Sequence, residues 1–340
     1  MTTSQPLTFG IKTSQANTTY DRILATWREA DAIDAFADAW LWDHLVPLRG
    51  DVRGPALEAW TLLAALATQT RRLRFGVIVT SNRTRSPALL AKMAATVDQI
   101  SGGRLIFGIG AGGSRVADPA ALALVERELG AYGFDVVPTG EAIGALGEAC
   151  TIVRRMWTES EPFDFQGRWY RPHGAVCEPK PVQRPGPPMM IGAAGRRSLR
   201  IVAEQADIWN CPTLRAAAAR GAVPSVGGDV AEFRRLSGVL DEHCAAIGRD
   251  PATITRSVQL LVQPASTASA SVSARPGQPA LPRFSDPAAT RELILAFVEA
   301  GARHVVLAPV ASDIDRPATW LAEEVVEPVR RILAAEAAVA

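Results

Sequence analysis

Short apolar runs alternate with longer amphipathic stretches along most of the 340 residues of this chain. Eight of the runs have the length of a β-strand and are rich in aliphatic, β-branched or aromatic residues. They are 7–11, 39–42, 73–79, 104–109, 188–191, 206–210, 254–262 and 304–308. Strands separated by helices form parallel sheets, and eight of them exceed what one nucleotide-binding half requires. We therefore predict an α/β fold, a (β/α)8 TIM barrel, in a single domain spanning residues 1–340.

Two stretches interrupt the alternation. Residues 113–130 lengthen the connection that follows the fourth strand. Residues 264–283 precede the last helix–strand unit and are rich in Ala, Ser and Pro. Because such a composition buries little apolar surface, we predict a disordered insertion at 264–283.

Charge and hydropathy exclude several classes of function. The 36 basic and 35 acidic side chains nearly cancel, and they form neither a basic stripe nor a basic amphipathic face, which argues against nucleic acids and membranes as partners. The apolar runs stay well below the roughly 20 residues that span a bilayer, and the polar N-terminus does not resemble a signal peptide. We therefore expect a cytoplasmic protein that acts on a small-molecule substrate.

The spacing of cysteine, histidine and lysine limits the possible chemistry further. The four cysteines form no CxxC pair and the four histidines have no ligand spacing, so we predict free thiols and no metal site. Lysine occurs only as Lys12, Lys92 and Lys180. Few candidates therefore exist for a lysine that anchors a phosphate or forms a Schiff base.

Asp43 and His44 directly follow the second predicted strand. In a (β/α)8 barrel, the active site lies at the carboxyl ends of the strands. An imidazole at this place can exchange a proton near neutral pH, because its unperturbed pKa is about 6.5. A histidine that only caps a loop would leave the same pattern, and the residues alone favour that simpler interpretation.

Glycines follow the fourth strand in a pattern that fits GxGxxG, beginning at Gly108 and ending at Gly113. The match to a dinucleotide fingerprint is weak, because the pattern lies in the fourth strand unit and Pro119 interrupts the chain where a phosphate-binding helix should begin. The glycines are better explained by close packing of a strand end against a flat ring. Gly110 is the residue that we expect to contact this ring.

The segment from Gly192 to Arg197 is a candidate anion site. Gly192, Ala193 and Gly195 let backbone N–H groups approach a phosphate, a helix begins just after them, and Arg196 and Arg197 add positive charge. An ordinary tight turn with two solvated arginines explains the pattern equally well.

Together these segments resemble the luciferase-like family, and within it the coenzyme F-420-dependent branch. The resemblance rests on the stretches 39–45, 85–98, 101–105, 108–112, 178–183, 192–197 and 206–210. They span most of the chain up to Asn210, and the last strand–helix unit fits more loosely.

The resemblance implies a barrel that holds the cofactor ring at its carboxyl-end mouth. His44 would lie beside the reactive ring carbon as acid or base, and Asp43 would help to hold the deazaflavin. A non-proline cis peptide is expected near Val77-Ile78. The remaining cofactor contacts implied by the resemblance are Val77, Ile78, Val79, Thr80, Asn82 and Gly110 at the ring, and Gly192, Ala193, Gly195, Arg196 and Arg197 at the phosphate.

Two departures from the family pattern concern the substrate side. Gly113 stands where relatives carry a bulky or acidic residue, so the catalytic glutamate of the sugar-phosphate dehydrogenases is absent. Extra residues also separate Gly113 from Glu126, after which residues 126–133 restore the pattern. We interpret the extra residues as a modified lid over the substrate.

The function implied is hydride transfer between coenzyme F-420 and a small organic substrate. One alternative is an FMN-dependent monooxygenase that uses reduced flavin and oxygen, with a flavin reductase as partner. Another is a flavin- or deazaflavin-binding barrel that has lost catalysis. The family also implies a homodimer that pairs through outer helices.

Overall fold

A computed structural model describes residues 5–48, 50–112, 114–115, 119–211, 226–264, 286–310 and 314–339. Gly113 and the predicted disordered insertion, except Pro264, lie outside the described residues.

Eight parallel strands close into a barrel, as the alternation predicts. The strands are β1 (Thr8–Lys12), β2 (Asp38–Leu41), β3 (Arg74–Val77), β4 (Leu105–Gly110), β5 (Met189–Gly192), β6 (Ile208–Cys211), β7 (Thr255–Val262) and β8 (His304–Pro309). Each strand pairs with the next, and β8 returns to β1. A two-residue continuation of β3, Thr80–Ser81, also pairs with β4.

Helices surround this barrel, and α4 lies at its mouth. They are α1 (Tyr20–Asp31), α2 (Ala59–Ala67), α3 (Pro87–Ser101), α4 (Pro119–Ala131), α5 (Thr139–Thr158), α6 (Arg196–Gln205), α7 (Val226–Ala246), α8 (Pro287–Glu299), α9 (Pro317–Leu321) and α10 (Glu327–Val339). A π-helical stretch, Ala322–Val326, joins α9 to α10. No described helix is long and apolar enough to cross a membrane.

The period-two alternation along each strand separates two cores. Outward side chains such as Phe75, Phe107 and Trp209 are fully buried against the helices. Inward side chains form a separate cluster in the lumen: Trp40, Ile78, Ile106, Met190 and Val306. The lumen is therefore filled in its middle, and in this fold ligands bind at the carboxyl ends of the strands.

The connection after β4 differs from the prediction. Pro119 does not interrupt the chain but begins helix α4, which runs to Ala131. Proline is well suited to the first turn of a helix, because the N–H that it lacks would have no partner there. Part of the predicted lid is therefore a helix, and it carries Glu128 to the mouth of the barrel.

Candidate active site

His44 lies three residues beyond the end of β2, at the barrel mouth. Its side chain is 36% exposed, and its Nδ1 lies 2.9 Å from Oε2 and 3.2 Å from Oε1 of Glu128. A carboxylate can only accept, so Nδ1 donates and carries the hydrogen. The other ring nitrogen, Nε2, is left to exchange a proton with a ligand.

Glu128 fixes the loop that carries His44 as well as the imidazole ring of this residue. Its side chain is only 9% exposed, and its Oε1 also accepts from the backbone N–H of Leu45 at 2.6 Å. Two further bonds tie α4 to this loop: Arg127 donates to Pro47 O at 2.7 Å and Tyr132 donates to Leu45 O at 3.2 Å. The position of His44 therefore depends on α4.

Trp42 lies beside His44 and is itself fixed by Gln15. The two ring centroids are 4.9 Å apart at 69°, an edge-to-face arrangement. The Gln15 amide donates to Trp42 O at 2.7 Å and accepts from Trp42 N–H at 2.9 Å. No described residue accepts from the buried Nε1 of Trp42.

Asp43 joins the ends of β2 and β3. Its buried carboxylate accepts from Arg85 at 2.8 and 3.1 Å and from Ser81 N–H at 3.1 Å. Burial opposes the charge on Arg85, but Asp43 and Glu58 outweigh it and raise the pKa of this guanidinium. Asp43 thus braces the mouth, and its contact with a deazaflavin remains a prediction.

The end of β3 contains a non-proline cis peptide bond between Ile78 and Val79. The sequence analysis expected this bond near Val77-Ile78, and it lies one residue further along the chain. The physical reason is that Val77 still pairs with Leu41 and Ile78 N–H still donates to Leu41 O at 2.8 Å, so regular strand pairing extends one residue further. Val79 follows the cis bond and is half-buried at the mouth.

Thr80 and Asn82 are buried just beyond this bond. The Thr80 hydroxyl accepts from Trp60 Nε1 at 3.0 Å. With its amide oriented to satisfy both neighbours, Asn82 donates to Ala111 O at 2.6 Å and accepts from Leu146 N–H at 2.8 Å. Both side chains bond to protein groups, and their predicted cofactor contacts are untested.

At the mouth, the lumen sides of β4 and β5 are formed by the backbone of their last glycines, and Val79 lies against it. A Cβ at Gly110 would lie 2.7 Å from a methyl carbon of Val79, and one at Gly192 would lie 3.0 Å from it. A Cβ at Gly108 would lie 2.0 Å from Val77 O. The glycines therefore make room for the end of β3, and the result is a smooth wall at the mouth.

This wall fits a flat redox ring. Among the described residues, Arg83 Nε and Trp42 Nε1 are buried N–H groups that lack an acceptor. A ring that carries carbonyl oxygens and acceptor nitrogens could accept hydrogen bonds from these N–H groups. A deazaflavin and a flavin both have such a ring. No group of three His, Cys, Asp or Glu in the described ranges could hold a metal ion.

The loop after β5 places the N-terminus of α6 at the mouth, but it separates the two arginines. Arg196 points to α7 and pairs with Glu242 at 2.7 Å, whereas Arg197 donates to Gly140 O at 3.4 Å.

The backbone N–H groups of this loop are partly bonded. Gly195 N–H donates to the Ser198 hydroxyl at 3.1 Å. Other first-turn N–H groups of a helix have no partner within it, and such groups bind phosphate well. Ala193 is buried, with its N–H bonded to Asn210 O at 3.2 Å.

Sequence reasoning missed the residues that position His44 and Asp43. They are Gln15, Glu58, Arg85 and Glu128. Glu128 is 84 positions from His44, so no local spacing could connect the two. The one available signal was the match of residues 126–133 to the family pattern.

A model of the luciferase-like monooxygenase family matches residues 6–275 of the chain. The chain therefore belongs to this family, which confirms the resemblance noted in its sequence. The barrel agrees as well. A solved structure of an F420-dependent secondary alcohol dehydrogenase in complex with an F420-acetone adduct is similar with a TM-score of 0.76 and 17% identity, over 95% of this chain and 99% of the other.

Curated relatives include an enzyme that is F420-dependent by name and a ketoreductase. The chain is 32% identical over 177 residues to an F420-dependent glucose-6-phosphate dehydrogenase of Intrasporangium calvum, covering 52% of this chain and 49% of the relative. It is 28% identical over 214 residues to a phthiodiolone/phenolphthiodiolone dimycocerosates ketoreductase of Mycobacterium sp., covering 62% of this chain and 49% of the relative. The chain thus spans about half the length of these relatives, and both are oxidoreductases by name.

Proposed function

We propose that the protein is an oxidoreductase that transfers a hydride between coenzyme F-420 and a small organic substrate, with His44 exchanging the proton. The observation that carries the proposal is the pair formed by His44 and Glu128 at the mouth of a luciferase-like barrel, 2.9 Å apart. The F420-dependent names of similar proteins support this choice of cofactor.

The cofactor would supply hydride chemistry when bound, and the chain would supply position and proton transfer. The wall of Val79, Gly110 and Gly192 would support the ring, and the first turn of α6 with Arg197 would hold the phosphate. These residues would hold the cofactor, and His44 would remain to exchange the proton.

His44 can act as acid and as base because Glu128 fixes its ring. Nδ1–H stays bonded to the carboxylate, while Nε2 takes a proton from a substrate hydroxyl or returns one to a substrate oxygen. The Glu128 charge stabilises the imidazolium that forms when Nε2 is protonated, as the carboxylate does in a Ser-His-Asp triad.

An FMN-dependent monooxygenase is the second candidate, because the matching family is described as luciferase-like monooxygenases. Titrating the purified protein with F-420, FMN and FAD separates the candidates. We expect F-420 to bind most tightly. Tight binding of reduced FMN with oxygen consumption would instead favour the monooxygenase and a flavin reductase as partner. Cofactor binding without turnover on any ketone, alcohol or alkane would indicate the barrel without catalysis.

The proposal includes a homodimer formed through outer helices. Helix α3 carries the exposed apolar side chains Leu89 and Ile100, which suits such a contact. Sedimentation at several concentrations tests this, and a concentration-independent monomer would contradict it.

A further inference from the structure

Asn82 lies where the continuation of β3 ends, and its backbone is bonded on both sides. Its N–H donates to Gly110 O at 3.1 Å, which extends the pairing with β4. Its carbonyl oxygen accepts from the Tyr170 hydroxyl at 2.6 Å. Val79 lies three residues before Asn82 and next to Gly110, where it forms part of the mouth wall. A bond that fixes Asn82 therefore also limits the movement of this wall.

The donor of this bond comes from a segment outside the barrel sheet. Tyr170 is 88 positions from Asn82 and lies in the connection between α5 and β5. Its side chain is half-buried. Burial raises the pKa of its hydroxyl, although the charge of Arg83 acts in the opposite direction. The hydroxyl therefore keeps its hydrogen at neutral pH and remains a donor.

A tight turn formed by residues 167–170 presents Tyr170 to the barrel. Gly167 N–H donates to Tyr170 O at 3.0 Å and closes the turn. One carboxylate, that of Glu148 on α5, accepts from the three backbone N–H groups of residues 168–170 at 2.7–3.0 Å. Hydrogen bonds to an ionised carboxylate are stronger than those to a neutral acceptor. Glu148 thus sets the position of Tyr170.

Helix α5 holds both partners of the Tyr170–Asn82 bond. Trp169 of the 167–170 turn packs over Gly144, where a Cβ would lie 2.1 Å from the indole ring. Gly144 and Glu148 are four residues apart and therefore share one face of the helix. Leu146 N–H of the same helix donates to the side-chain oxygen of Asn82 at 2.8 Å. The helix, the turn and the end of β3 are thus joined by one set of bonds.

We propose that Glu148 and Tyr170 are positioning residues for the cofactor: Glu148 fixes the 167–170 turn, and the Tyr170 hydroxyl fixes the end of β3 that carries Val79. This inference rests on the proposed function. Both residues act through the backbone of β3. Their loss should therefore weaken the binding of the ring and leave the proton transfer by His44 almost unchanged.

Hydrogen exchange of the whole, cofactor-free protein tests the first step without any ligand. Tyr170→Phe keeps the aromatic ring and removes the hydroxyl. We expect peptides that contain residues 80–83 to exchange about five- to tenfold faster, because one hydrogen bond is lost there. Peptides from β7 should exchange as in the unaltered protein. Unchanged exchange at 80–83 would overturn the inference, and so would an equal acceleration in β7, which would mean that Tyr170 only stabilises the whole fold.

Titration with F-420 and with FMN tests the second step. Tyr170→Phe and Glu148→Gln should each weaken the cofactor affinity about fivefold. At saturating cofactor, kcat should change less than about twofold. The double variant should also lose about fivefold rather than the roughly 25-fold expected of independent sites, because both residues act through one turn. Independent losses, or an unchanged affinity in Tyr170→Phe, would overturn the inference.

Thr158→Val is the matched control. It also removes a hydroxyl that donates to a backbone carbonyl, Arg154 O at 2.8 Å, but Thr158 is exposed at the last residue of α5. It should leave the cofactor affinity and the exchange at 80–83 unchanged, and losses equal to those of Tyr170→Phe would overturn the inference. Failure of the unaltered protein to bind F-420 or FMN would instead defeat the proposed function. The exchange measurement would then still decide whether Tyr170 fixes the end of β3.

Discussion

The two ends of the barrel use polar residues in opposite ways. At the amino end, the Arg104 guanidinium donates to the carbonyls of Ala67, Thr70, Leu73 and Ser101 at 2.7–3.0 Å and to the Thr70 hydroxyl at 3.1 Å. At the mouth, His44 is half-exposed, and the buried N–H groups of Trp42 and Arg83 lack acceptors among the described residues. Polar groups at the amino end are therefore bonded to one another, whereas some at the mouth have no partner among the described residues.

The lumen near the amino end makes the contrast sharper. His304 lies 2.8 Å from the Ser257 hydroxyl and 3.0 Å from the Asp38 carboxylate, the distances of a Ser-His-Asp triad. All three are at most 4% exposed, and the Asp38 carboxylate also accepts from Trp40. No substrate can reach that hydroxyl, so the network satisfies buried polar groups. Geometry defines a site only where a ligand has access.

The comparison predicts that a substitution at the amino end lowers the free energy of unfolding and leaves turnover unchanged. Arg104→Met leaves four carbonyls without their donor and should lower the free energy of unfolding by about 3 kcal/mol. Denaturant unfolding measures this, with Arg235→Met as the control, because Arg235 is exposed on α7 and pairs with Glu232 of the same helix at 2.8 Å. Turnover per folded molecule should be unchanged. A fall in turnover without a loss of stability would contradict the division between the ends.

At the mouth, we expect a substitution to lower turnover and to leave the free energy of unfolding nearly unchanged. His44→Ala should reduce turnover at least about 100-fold, because a general acid or base is lost. Unfolding should change little, since the ring is half-exposed. His173, which is 69% exposed on the loop after α5, provides the control, and His173→Ala should keep full turnover. Steady-state rates with the cofactor identified by titration test both variants. An unchanged rate would remove His44 from the mechanism.

Glu128 should act through His44. Glu128→Gln keeps an acceptor but removes the charge, and should reduce kcat about tenfold with little change in KM. Glu128→Ala removes the acceptor too and should shift the His44 hydrogen from Nδ1 to a mixture of tautomers, seen by 15N NMR. A variant that loses rate while the tautomer signal stays fixed would assign Glu128 a structural role only.

The sequence predicts the fold well because strand and helix periodicities are local. The end of β2 follows from the apolar run before Asp43, so the place of His44 also follows. Glu128 could not be found in this way, because its contact depends on helix α4 and on the closure of the barrel. The cis bond lies one residue beyond the expected position because strand pairing with Leu41, not the local residues, decides where β3 ends.

Asp31 should show a pH dependence that belongs to the amino end. Burial would raise the pKa of this carboxyl, but N–H groups of Leu73, Arg71 and Arg72 outweigh burial and lower it. The stabilisation is therefore present above the unfolded pKa of about 4 and is lost as pH falls through the lower folded value. Asp31→Asn should cost about 1 kcal/mol at pH 7, and the difference should shrink in acid. Parallel curves of unfolding free energy against pH would contradict this.

The smallest expected effect is a difference in cofactor affinity between variants of Arg196 and Arg197, the first two residues of α6. Because Arg196 is held by Glu242 on α7, Arg196→Ala should change cofactor affinity by less than about twofold. Among the described residues, Arg197 makes only a long bond to Gly140 O, so it can turn to a phosphate, and Arg197→Ala should weaken binding about fivefold. Titration of both variants with F-420 decides between them. Equal losses would mean that Arg196 leaves Glu242 when the cofactor binds, and that this part of the mouth is assembled by its ligand.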